Sequence, residues 1–71
     1  MKQLTALKTK YEAEMLIAKC NIDTYIESSV GIGEHPDLVE AIDTQVRRYN
    51  EAKELHSTIE ELIEKYVSHM G

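Results

Sequence analysis

A single cysteine, Cys20, excludes any intramolecular disulfide, and one unpaired thiol fits a reducing compartment. Helix breakers are as scarce: one proline and three glycines, with Gly31, Gly33 and Pro36 close together and Gly71 last. Two long stretches without breakers read as helix. No apolar run approaches the roughly 18 residues that a transmembrane helix requires. The start, Met1-Lys2-Gln3-Leu4-Thr5, has no continuous apolar segment, so no signal peptide is expected and the cytoplasm is the expected location. A basic excess is missing too. Thirteen acidic against eight basic residues give a net charge of −5, which disfavours nucleic acid as a partner, because phosphate contacts need a basic surface.

What is present suits a folded, soluble protein: 42% apolar and 30% charged residues. A core made from 71 residues is small, and chains of this size commonly add disulfides, a metal or a partner chain. With the disulfide excluded and no metal motif in the sequence, self-association is the expected remedy.

Leu4, Leu7, Tyr11, Met15, Ala18, Ile22 and Tyr25 recur at threes and fours and predict a first helix over about 2–28. The successive fours from Leu7 to Tyr11 to Met15 form a stutter that relaxes a left-handed supercoil. Ala13, Leu16 and Cys20 form a second apolar set roughly opposite, with Ile17 between the two. A helix apolar on most sides is usually buried on more than one, so this segment predicts a second interface and a buried Cys20.

The segment from Ser28 to Pro36 predicts a turn over about 29–36, where Gly31 can end the first helix and Val30 and Ile32 can fold back onto the end of the bundle. The second helix is expected over about 37–69. Asp37 and Glu40 have capping-box spacing, and the alternative makes Pro36 the first helical residue with His35 as cap. Leu38, Ile42, Gln45, Tyr49, Ala52, His56, Ile59, Ile63, Tyr66 and Met70 alternate by fours and threes as in a coiled coil. Leu55 and Leu62 flank that stripe on one side, and Val39, Val46 and Val67 on the other. So wide a stripe suits a helix touching two neighbours. Lengths of about 40 and 50 Å follow from the usual rise per residue, so the second helix should overhang the first by a turn or more. A short turn makes the helices antiparallel, which sets Lys2, Lys8 and Lys10 beside Glu51, Glu54, Glu60, Glu61 and Glu64.

Catalytic and metal sites find little support. The residues three before His35, His56 and His69 are Ile32, Lys53 and Tyr66, so the Glu-x-x-His spacing of bundle di-iron sites is absent. Glu34-His35-Pro36-Asp37 reads as a solvated loop with a capping acid. Cys20 has no base nearby in the pattern. His56, Gln45 and Glu14 interrupt apolar stripes and are expected to specify pairing. Arg47 sits four residues from both Asp43 and Glu51 in an ion-pair ladder, while Arg48 lies near the stripe with its head free to meet an acid. Gly31-x-Gly33 lacks the strand and third glycine of a phosphate loop.

The stretch from Val30 to Asp43, VGIGEHPDLVEAID, resembles a segment of small hypothetical proteins of tailed bacteriophages. That resemblance covers the turn and the start of the second helix. It implies a phage or host-cytosol setting, a helical hairpin and no enzyme, and it carries no functional residues.

The expectation is an all-α antiparallel hairpin that self-associates, preferably as a homodimer forming a four-helix bundle. Its candidate interface is Ala13, Leu16, Ile17, Cys20, Leu55 and Leu62, leaving other surface for a heterologous protein partner. It needs no cofactor, metal, nucleic acid or membrane. An acidic regulatory module that blocks a nucleic-acid-binding protein is the alternative. Leu16→Lys should disrupt assembly more than Glu27→Lys in sedimentation velocity; equal behaviour of the two variants would contradict this placement.

Overall fold

The computed structural model describes residues 1–28 and 36–70. Two helices account for nearly all of them, α1 over Lys2–Ser28 and α2 over Pro36–Met70, and no strand occurs among the described residues. They pack along their length as an antiparallel hairpin measuring 57 × 14 × 13 Å. The expected turn, with Val30, Ile32, Glu34 and His35, lies outside the described residues.

Local chemistry explains both helices. The Thr5 amide donates to the Met1 carbonyl at 2.9 Å and closes the first turn of α1. Threonine, a modest helix former, sits on solvent faces, where the hydroxyls of Thr9, Thr24, Thr44 and Thr58 donate to the carbonyl four residues earlier. Pro36 opens α2, where its fixed φ suits a helix start. Asp37 therefore falls within the first turn and is not the cap of the capping-box reading; there its charge complements the helix dipole. His69 stands in the last turn, with Nδ1 3.1 Å from the Lys65 carbonyl. α1 has neither device: no acid in its first turn and no base in its last.

The two helices share one stripe. Ala18 is completely buried, and Ala52 and Ile59 nearly so. These two alanines let the backbones approach closely. Around them Leu4, Tyr11, Met15, Ile22, Tyr25, Leu38, Ile42, Tyr49 and Ile63 are half-buried, so most of the expected stripes do face each other. Leu7 and Tyr66 depart from expectation and are exposed. Tyr66 lies where α1 has run out: paired positions across the hairpin sum to between 62 and 68 (14 with 48, 21 with 45, 8 with 60, 12 with 56), so Lys2 lies level with about residue 64 and roughly 9 Å of α2 extends beyond it.

Polar pairs fix that register. Arg48 Nε and Nη2 both reach Glu14 Oε2 at 2.8 Å, and Asn21 Nδ2 donates to Gln45 Oε1 at 3.1 Å. Both pairs are part-buried, so a slipped register would strand polar groups away from water. Lys8 Nζ lies 3.7 Å from Glu60, an exposed pair of small energetic weight. On the solvent face of α2, Arg47 Nε donates to Asp43 at 2.9 Å. That hydrogen bond and then the Asp43 charge raise the Arg47 pKa. Because the shift is upward on an already strongly basic group, any stabilisation is lost only as pH rises through extreme alkalinity, and Arg47 stays charged throughout the working range.

Candidate functional site

In a hairpin each helix has one neighbour, so the side of α1 opposite that neighbour is where an uncommitted surface is found. A helix turns about 100° per residue, which sets Ile17, Ala13, Leu16 and Cys20 between about 100° and 160° round from the buried Ala18. All four are exposed, Leu16 at 63% and Ile17 at 43%. Cys20 corrects an expectation: its apolar neighbourhood predicts burial, yet it is exposed because this face points away from α2.

The same face runs further than those four residues. Ala6, Thr9 and Thr24 continue it and are exposed. From Ala6 to Thr24 its centre line carries no charged side chain over about 27 Å of helix, and the exposed Asp23 stands on its margin beside Leu16. Sequence spacing alone hid this extension because alanine and threonine give weak apolar signals; their shared lack of charge was the available clue.

Leu55 and Leu62 sit elsewhere. Leu55 is half-buried and lines an open groove between the helices together with Tyr11 and Ala52, rimmed by Lys10, Glu14, Arg48 and Glu51. Lys10 lies over the Tyr11 ring at 5.5 Å from its centroid, and Glu14 and Arg48 neutralise each other across the groove. Leu62, two turns on, is 37% exposed. The six candidate interface residues thus form a main patch on the outer face of α1 and a marginal pair on the flank of α2. Val39, Val46 and Val67 are exposed on the other flank of α2.

His56 is the least comfortable polar group on the shared stripe. Its Nδ1 lies 3.4 Å from Glu60 and its Nε2 3.7 Å from Glu12. The second distance is too long for a hydrogen bond, and Nε2 is buried without a partner. Among the described residues, no group of three His, Cys, Asp or Glu side chains could hold a metal ion, and no helix is long and apolar enough to cross a membrane.

Comparison with protein-family models, with curated proteins and with solved structures finds no match to this chain.

A buried polar atom without a partner costs on the order of 1–3 kcal/mol. His56→Leu should therefore raise the unfolding free energy by about 1 kcal/mol, measured by urea titration at fixed protein concentration. A fall would show that the imidazole is well bonded in solution.

Proposed function

We propose that this chain is a non-enzymatic interaction module of the small phage-protein type, working in a cytoplasm as a homodimer of hairpins that completes a four-helix assembly. The observation that carries this reading is the outer face of α1: exposed, free of charge along its centre from Ala6 to Thr24, and centred on Leu16 and Ile17. Three nearly fully buried residues among those described are a thin core for two long helices, and covering Leu16, Ile17 and Cys20 in a second copy enlarges it. Leu55 and Leu62 then lie at the margin of the contact, and the acidic outer surface of α2 stays free for a heterologous protein.

A second reading rests on that acidic surface. Glu51, Glu54, Glu61 and Glu64 are exposed and, among the described residues, make no ion pair. A surface of this kind suits a regulatory module that occupies the basic site of a nucleic-acid-binding protein. Salt-released capture of such a protein from lysate favours this reading.

If folding and dimerisation are coupled, mass action makes stability depend on concentration. The thermal midpoint should rise by about 5 °C or more over a hundredfold increase in protein concentration, followed by circular dichroism. A constant midpoint would contradict the homodimer.

A further inference from the structure

We propose that the outer face of α1 is self-complementary and pairs with the same face of a second copy in antiparallel orientation, about a two-fold axis crossing α1 near Glu14 and Met15. This rests on the homodimer reading and deepens it by fixing the face, the direction and the register.

Charge is the first argument. The uncharged strip is bounded by Lys2 at one end and Glu27 at the other, both within about 20° of its centre line through Cys20. Neither has an ion-pair partner among the described residues. Antiparallel pairing in which facing positions sum to 29–31 sets Lys2 against the partner's Glu27, and Glu27 against the partner's Lys2. On one margin of the strip the same register sets Glu12 near the partner's Lys19. Lys19 also lacks an ion pair among the described residues, and the Glu12 carboxylate, 3.7 Å from His56, is half exposed. Parallel pairing would instead set Lys2 on Lys2 and Glu27 on Glu27, which is repulsive.

The same two contacts also suit the helix dipoles. α1 lacks an acid in its first turn and a base in its last. In the antiparallel pair the partner's Glu27 comes to the first turn and the partner's Lys2 to the last, so each copy supplies what the other lacks.

Shape agrees. Small residues meet larger ones in this register: Ala13 faces the partner's Leu16 and Ile17, Thr9 faces the partner's Cys20, and Ala6 faces the partner's Thr24. In an isologous contact each pairing occurs twice, and the small side chains permit a separation near the lower end of the usual 8–10 Å between helix axes.

Cys20 gives the test. In the antiparallel pair its two copies are offset by about 16 Å along the helix, too far for a disulfide, which needs Cα atoms within about 7 Å. Mild oxidation should leave the wild-type chain uncrosslinked. Thr9→Cys, with Cys20 retained, should convert to a covalent dimer, and Thr9→Cys/Cys20→Ser should not. Separately, Lys2→Glu and Glu27→Lys should each weaken dimerisation by about two- to five-fold and restore it when combined. Crosslinking of wild-type Cys20 to itself, or a dimer by mass in which Thr9→Cys fails to crosslink, overturns this pairing and leaves the homodimer standing. A monomer by mass overturns both.

Discussion

A helix in a two-helix hairpin has only one neighbour, and everything else about this molecule follows from that constraint. One shared stripe can be covered, and it holds Ala18, Ala52 and Ile59 at its centre with half-buried residues around them. The apolar side chains left exposed include Leu16 and Ile17 on the outer face of α1 and Val39, Val46, Leu62 and Val67 on the flanks of α2. Burial of apolar surface is the main driving force for folding and association alike, so a chain with a thin internal core and an uncharged external strip has reason to use the second to support the first.

Specificity within the hairpin comes from polar groups placed where apolar ones would have packed as well. Glu14 with Arg48, and Asn21 with Gln45, cross between the helices at part-buried sites. Pairs of this kind add little net stability, but a shifted register would leave each without its partner. His56, close to two carboxylates and fully bonded to neither, is the least settled member of the set. α1 also depends on tertiary context more than α2 does, since its ends carry the wrong charges for its dipole.

Much of this was legible in the residues. The spacing of Leu4 to Tyr25 and of Leu38 to Ile63 located the two stripes. Glu14, Gln45 and Arg48 could be recognised as pairing residues, but their partners could not: which residue faces which depends on a register that the stripes leave free by a turn or so. Cys20 shows the opposite limit. Its apolar neighbours signalled burial, yet it is exposed in the hairpin, because spacing cannot say which face of the helix meets α2. The extent of the outer face, through Ala6, Thr9 and Thr24, was hidden because small residues register weakly on any apolar scale. Lys2 and Glu27 become meaningful only once the face they bound has been drawn.

The central claim is that a second copy completes the hairpin, and absolute mass in solution by light scattering across a dilution series tests it most directly. A mass near twice 8.1 kDa that falls towards 8.1 kDa only on dilution, with loss of helix, is the predicted result. A fully helical species of 8.1 kDa at every concentration would contradict the account and leave the strip around Leu16 and Ile17 open to a different protein.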